Sequence, residues 1–470
     1  MRIIIGGAGR VGYALARALS REKYDVVIID QDSRAVSNAQ ALDGLVLHGN
    51  ITSRETLLEA GIESASVFVA ATPSDESNLI ACSIAEHAHG TEDENNPLIS
   101  VCRLRNSSYV SEYRQGHLKE WANVDHIVNP LRGAITRLNA GLRSTDIEEV
   151  IPFDDEAYVI ELNVGDSAHN ITSRSLGDLK EDFVHGLPNI VAVKRTGQRS
   201  FVPTDDTILE KGDRIAVAVV GLDNFNPALL TFGHEVTYFP EEPRVAIIGA
   251  TPIGTKMAED WLNHNAKVTV IESELHLANQ LAGSKLGGHP NLEVIHGDHL
   301  DRSVLEEISI EQFDVALSSL ENDHANIAAV LLASDLGVTH TGLLLYDADL
   351  VKVTQRMGIS FAVDRRRVAV DNMLTYIHEK VSGHYALLSA IPDVVGLTLE
   401  VTEKAKFAGK SVAEAQFPDW MTVAFVKRLN LAGEWESMQP KPSELLLEKD
   451  HVVMFCHRDR VGDIQKRFKV

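Results

Sequence analysis

Apolar and polar positions alternate in two rhythms from the first residues onward. Arg2 to Ile5 carries a short β-branched run, and after a glycine-rich break Val11, Ala14, Leu15, Ala18 and Leu19 recur at the i, i+3, i+4, i+7, i+8 spacing of one helix face. Val26 to Ile29 is a second apolar run and closes at Asp30. Further strands are expected at Leu45 to His48, Val67 to Ala71 and Leu98 to Val101, with helical stretches between them. Apolar strands that alternate with amphipathic helices predict an α/β unit with a parallel, doubly wound sheet.

The pattern then repeats. Arg244 to Gly254 restates the opening, and Val268 to Glu272 restates the second strand with its terminal acid, both 242 positions later (7 to 249, 30 to 272). His296-Gly297-Asp298 answers His48-Gly49-Asn50, and Asp323 to Asn326 answers Asp75 to Asn78, both 248 positions later. Leu447-Glu448-Lys449-Asp450 matches Leu209-Glu210-Lys211-Gly212 at an offset of 238. Each sheet unit is followed by a long helix, Pro130 to Arg143 in the first half and Arg367 to Val381 in the second. Short strands come next: Tyr158 to Leu162, Ile190 to Arg195 and Arg214 to Val220, then Leu397 to Val401, Val423 to Arg428 and His451 to Phe455. The expected organisation is therefore a Rossmann-like lobe over 1–143, a small α+β lobe over 144–223, a Pro- and aromatic-rich linker over 224–243, a second Rossmann-like lobe over 244–384 and a second small lobe over 385–470.

Candidate chemistry starts at Gly7-Ala8-Gly9-Arg10-Val11-Gly12. A G-x-G-x-x-G stretch is weak alone, but strand, glycine turn, helix and an acid at the next strand's end are the context that a dinucleotide site requires. Gly7 makes the tight turn, Gly9 lets a pyrophosphate approach the backbone, Gly12 lets the helix pack against the sheet, and Asp30 accepts from ribose hydroxyls. Free N–H groups at the helix start, with the positive end of its dipole, hold the phosphates. Ligands on such sheets sit beyond the carboxyl ends of the strands, which brings in Asn50, Ile51, Thr72, Asp75, Arg103 and Arg105. Asn50 and Thr72 can hydrogen-bond a base or sugar. The arginines suit phosphates, with surface solubility or an interface salt bridge as the plain alternative. In the second half Gly249, Gly254 and Glu272 keep the frame, whereas Thr251 replaces the middle glycine and puts a Cβ where the pyrophosphate should approach, Pro252 lacks an N–H, and Leu344 and Tyr346 stand in the places of the arginines. The stronger anionic site is thus expected in the first half. Weak binding, another ligand and a purely structural role stay open for the second.

Composition narrows the function. A chain of 470 residues exceeds the roughly 250 to 300 that one core supports. A net charge of −23 argues against binding nucleic acid by phosphate neutralisation. Cys82, Cys102 and Cys456 are far apart, which fits a reducing compartment and buried thiols better than disulfides. Apolar runs such as Ile215 to Val220 and Ile327 to Ala333 fall short of the ~20 residues of a membrane span. The start of the chain lacks the pattern of a signal peptide. His296-Gly297-Asp298-His299 is not backed by a matching ligand set, so no metal is expected, and the acidic run Glu92-Asp93-Glu94 reads as a solvated loop. No nucleophile elbow or Walker loop appears. Two nucleotide lobes without a catalytic set point to a regulator in which nucleotides of different charge shift conformational populations.

The glycine loop, Ile29-Asp30, Thr72-x-x-Asp75-Glu76-x-Asn78 and Arg103-x-Arg105, followed by a small lobe and then repeated, resemble the TrkA family, the cytosolic subunits of Trk potassium uptake systems. The resemblance spans essentially the whole chain. It implies two tandem RCK domains, each a Rossmann N-lobe with a small α+β C-lobe, and NAD(H) or ATP/ADP as ligands. It also implies a homotetramer docked on the cytoplasmic face of the membrane under a Trk-type potassium channel subunit, which it gates. Carried over, Gly7 to Gly12 hold phosphates, Asp30 the ribose, Asn50 and Thr72 the adenosine side, and Arg103 and Arg105 the phosphates. Asn50 stands where the family often has Asp. An NAD-dependent oxidoreductase and a regulatory partner of a cation/proton antiporter are the competing readings.

Overall fold

The structure, a computed structural model, describes residues 1–90, 97–144, 146–153, 157–183, 187–221, 224–380, 388, 391–403, 405, 407–430 and 435–468. The acidic run at 92–94 lies outside the described residues. The first sheet consists of β1 (Arg2–Gly6), β2 (Asp25–Asp30), β3 (Leu45–His48), β4 (Ala65–Ala70), β5 (Ile99–Arg103) and β6 (His126–Val128), all parallel, in the order β3-β2-β1-β4-β5-β6. That is the order of a Rossmann fold. Successive residues point to opposite faces of a strand, and here both faces are covered. Ile4, Val27 and Phe68 enter one core, while Ile3, Ile5, Val26, Ile28 and Val69 enter the other with Leu15 and Leu19 of the helix Arg10–Arg21. Two-sided burial explains why these strands read as unbroken apolar runs.

The first small sheet is antiparallel, with β7 (Ile147–Pro152), β8 (Ala157–Asn163), β9 (Asn189–Lys194) and β10 (Arg214–Val220) in the order β7-β8-β10-β9. The second half repeats both sheets. Strands β11 (Arg244–Ile248), β12 (Lys267–Glu272), β13 (Leu292–His296), β14 (Val315–Ser318), β15 (His340–Leu345) and β16 (Phe361–Asp364) form another six-stranded sheet in the same order. The last sheet runs β17 (Val394–Glu400), β20 (His451–His457), β18 (Met421–Leu429), β19 (Trp435–Met438). Strands β6, β7, β16 and β19 lie outside the sequence expectation: three have only three or four residues, and β7 is interrupted by Glu148 and Glu149. Inside the stretch read as a linker, Phe225–Thr231 forms a helix that buries Phe225, Ala228 and Leu229. Among the described residues no helix is long and apolar enough to cross a membrane.

Contacts divide the chain into two compact units, Met1–Ala134 with Asp364–Val381, and Ile135–Val363 with Ser382–Val470. In the first unit the helix Arg365–Lys380, which follows the second sheet in sequence, packs on the first sheet's side. Its Ala369, Val370, Met373, Leu374 and Ile377 share a core with Leu15 and Leu19. Tyr376 stacks on His126 at 3.9 Å, and the buried His378 meets Glu22 at 3.1 Å. In the second unit the helix Pro130–Gly141 does the reciprocal. Its Leu138 packs beside Gly342 of β15, Phe361 of β16 lies against Gly141, and Asn139 Nδ2 donates to Asp260 at 2.7 Å. The two halves have exchanged their closing helices. Also within the second unit, the small sheets share one core in which Phe153 lies 5.4 Å from Phe425 and 6.0 Å from Phe455.

One repeat register needs correction. Gly212 and Lys449 are the equivalent residues, both in the left-handed region at φ 81° and 70°. Their amides donate to Val164 and Val401, and the next carbonyls, of Asp213 and Asp450, accept from the same two residues. The offset is therefore 237 rather than 238 (212 to 449). A turn that needs positive φ keeps its geometry after losing glycine, so matching residue types across it slips by one. The buried Asp213 and Asp450 each take two bonds from an arginine, Arg195 at 2.9 and 2.7 Å and Arg428 at 2.9 and 2.8 Å. These bonds raise the pKa of both guanidinium groups and tie strand to turn in each small lobe.

Candidate functional site

The first crevice opens where the strand order reverses between β1 and β4. Gly7 leaves β1 at φ +107°, and a Cβ there would lie 3.2 Å from the Ala71 and Thr72 backbone, so only glycine makes this turn without strain. Its amide donates to Ile29 at 2.7 Å, linking the turn to β2. Asp30 at the end of β2 braces the mouth: Oδ2 accepts from the Ala8 amide at 2.6 Å and Oδ1 from Asp32 at 2.8 Å. Gly9 is the cap residue of the helix Arg10–Arg21, and no side chain caps it. A Cβ on Gly9 would meet nothing within 4 Å, so the helix start faces open space on that side. A Cβ on Gly12 would fall 1.8 Å from the Gly7 carbonyl oxygen, which fixes how closely helix and turn approach. Arg10 is exposed and Val11 buried. Helix-start amides that donate, beside a glycine and a carboxylate that accepts, suit a phosphorylated sugar.

The remaining candidates form the walls. Ile51 is 5% exposed and closes the floor below Gly6, whose Cβ position lies 3.0 Å from it. Asn50 Oδ1 accepts from the amide and hydroxyl of Thr52, holding the loop after β3. Thr72 lies just beyond β4 and donates its hydroxyl to Asn78 Oδ1 at 2.6 Å. Asn78 is fully buried: Oδ1 also accepts from the Thr72 amide, and Nδ2 donates to the carbonyls of Thr72 and Arg103 at 3.1 and 2.9 Å. It pins the ends of β4 and β5 together. The Asp75 carboxylate, 7% exposed, accepts from the Arg105 and Asn106 amides at 2.9 and 2.8 Å. The Arg105 guanidinium turns back to Asp75 and to the Pro73 carbonyl. The Thr72-x-x-Asp75-x-x-Asn78 pattern thus builds the wall that carries Arg103 and Arg105, a role visible only once partners some 30 residues away are brought together. Asn78→Ala would strand buried carbonyl and amide groups, and a loss of about 3 kcal/mol is expected, read as a lower denaturant midpoint at unchanged slope.

The second crevice keeps the same frame. Glu272 accepts from the Ala250 amide at 2.7 Å and the Glu274 amide at 2.8 Å, as Asp30 does. Asn326 Nδ2 bonds the carbonyls of Leu320 and Leu344, and Asp323 takes the Tyr346 amide, so Leu344 and Tyr346 do occupy the places of Arg103 and Arg105. His299 stands where Ile51 does, and burial lowers its pKa. The sequence reading of Thr251 as an intruding Cβ misses what its hydroxyl does. Thr251 caps the helix Pro252–Asn263, accepting from the Gly254 amide at 3.1 Å, and it lies 3.0 Å from the carbonyl oxygen and 3.1 Å from the hydroxyl of Ser319. The available signal was the residue type, since threonine before a helix is a strong N-cap.

Comparison with known proteins agrees with this double frame. The TrkA-N domain model matches residues 3–130 and again 245–364. The "Trk system potassium uptake protein TrkA" of Azorhizobium caulinodans is 27% identical over 477 residues, covering 100% of this chain and 99% of that protein. The protein of the same name from Halomonas elongata is 25% identical over 476 residues, with the same coverage of both chains. Among solved structures, the GsuK channel bound to NAD superposes with a TM-score of 0.56 at 17% identity, over 99% of this chain and 78% of that one. The GsuK RCK domain gives 0.54 at 18% identity, over 99% and 94%. Their fold is two Rossmann-like lobes, each with a small α+β lobe, as here. With a TrkA-N domain in each half and relatives aligned from end to end, the chain belongs to the TrkA family.

Proposed function

We propose that the chain is a cytosolic, nucleotide-responsive regulatory subunit of a potassium uptake system, and that its first crevice holds an adenine nucleotide, NAD(H) or ATP/ADP. The observation that carries the reading is the first helix start. Its cap is a glycine with open space beside it, and Asp30 stands braced at the mouth. Gly7 to Gly12 hold the diphosphate through backbone amides, Asp30 takes the ribose hydroxyls, Asn50 and Thr72 border the adenosine, and Arg103 and Arg105 add charge at the phosphates. The Asp30 carboxylate disfavours a 2′-phosphate by like charge. Support for the physiological role comes from the relatives named as Trk potassium uptake proteins, and support for the ligand from the fold shared with the GsuK channel solved with NAD.

In this reading the output is conformational. Nucleotides that differ in charge favour different arrangements of the lobes, and an assembly, a homotetramer by family resemblance, transmits the difference to a membrane-embedded potassium subunit on a separate chain. Potassium uptake into vesicles carrying that membrane protein with the full chain bound is expected to change when ATP replaces ADP or when NADH is added. Asp30→Ala is expected to abolish the change while leaving the complex assembled. An identical nucleotide response from Asp30→Ala would contradict the reading.

A further inference from the structure

The two crevices share a backbone and differ in a matched pair of side chains. Gly9 and Thr251 cap equivalent helices with nearly the same dihedral angles, φ −65° and ψ −175° against φ −61° and ψ 163°. Ala71 and Ser319 are also equivalent, since their amides donate to Gly6 and Ile248 at 2.8 and 3.1 Å. Where the first half has glycine and alanine, the second has two hydroxyls in contact. Thr251 Oγ1 takes the Gly254 amide, and the fully buried Ser319 holds Thr251 from behind. We infer that Thr251, held by Ser319, is a built-in occupant of the second crevice whose hydroxyl sits on the helix amide that a phosphate oxygen would use, so that the second lobe takes no adenine nucleotide.

Three further features point the same way. Pro252 at the first helical position has no N–H, which removes another donor from the cradle. Leu344 and Tyr346 supply no positive charge where the first half has two arginines. Glu272 is only 4% exposed, whereas Asp30 is partly open, so a sugar has little of Glu272 to reach. A phosphate entering here would have to displace the Thr251 hydroxyl and break its contacts with Ser319, with no arginine to offset the loss. The hydroxyl does for the second lobe what a ligand does for the first: it satisfies the helix start. The second lobe therefore keeps its nucleotide-independent shape while the first responds.

The inference rests on the reading of the first crevice only for its reference count, because the decisive quantity is a difference. Equilibrium dialysis of the full chain with labelled ADP, and separately with NADH, should give one nucleotide per chain for the wild type. The double variant Thr251→Gly with Ser319→Ala should take up a second nucleotide, held more weakly than the first because Pro252 and the missing arginines remain. Thr251→Ser, which keeps the hydroxyl, should stay at one. Glycine is a tolerated cap at these angles, so the variants are expected to melt as the wild type does. In an Asp30→Ala background the counts should fall to zero and one. A wild type that binds none beside a double variant that binds one would refute the first-crevice reading and still uphold this one. Two nucleotides on the wild type, or no additional nucleotide on the double variant, would overturn it.

Discussion

Gly9→Val is expected to lower the affinity for ADP or NADH by about 100-fold, equivalent to about 2.7 kcal/mol, while leaving the melting temperature unchanged. Both halves of the expectation come from the same geometry. A Cβ at Gly9 points into open space and would meet no protein atom within 4 Å, so the fold has little to lose. Its backbone is extended at φ −65°, which a β-branched residue adopts readily. The same side chain fills the approach to the helix amides, and losing one or two charge-assisted bonds, each about 1.5 to 3 kcal/mol, accounts for the drop. Isothermal titration beside thermal melting reads the two quantities on one preparation. A destabilised fold, or unchanged affinity, would show that Gly9 does not face the ligand.

Gly12→Ala should do the opposite, unfolding before it reports on ligand. One methyl group at Gly12 lands 1.8 Å from the Gly7 oxygen and 3.4 Å from Ile5, where backbone rather than a flexible side chain must yield. Overpacking of this kind costs about 3 kcal/mol. For a unit of this size that corresponds to a melting transition about 6 to 12 °C lower. The equivalent change at Gly254 meets Gly249 at 2.0 Å and the Ser319 hydroxyl at 2.6 Å, so a similar loss is expected in the second unit. The two glycines of one motif thus separate by measurement, one serving the ligand and the other the packing.

Much of this was legible in the chain because β-branched runs such as Ile3 to Ile5 and Val26 to Ile29 are buried on both faces and bounded by glycine or acid. Asp30 and Glu272 were visible as terminal acids, and each does brace its glycine turn. The exchange of closing helices was not legible. The apolar stripe from Ala369 to Ile377 records that a face must be covered, not which sheet covers it. Nor was the work of Asn78 and Asp75, since their partners at Arg103, Arg105 and Asn106 come near only through the crossover from β4 to β5. Thr251 was read by its bulk, while its effect lies in a hydroxyl whose second partner, Ser319, sits 68 residues away. Short polar-edged strands such as β6 and β19 carry too few residues to show a period.

The central claim, that backbone amides at the first helix start cradle a diphosphate while Asp30 holds the sugar, is tested most directly by titrating the full chain with adenosine, AMP, ADP and NADH under identical salt. The account predicts that adenosine binds weakly, that affinity climbs steeply on reaching the diphosphate of ADP and NADH, and that Asp30→Ala weakens both. Adenosine binding as tightly as ADP, with Asp30→Ala indistinguishable from the wild type, would contradict it.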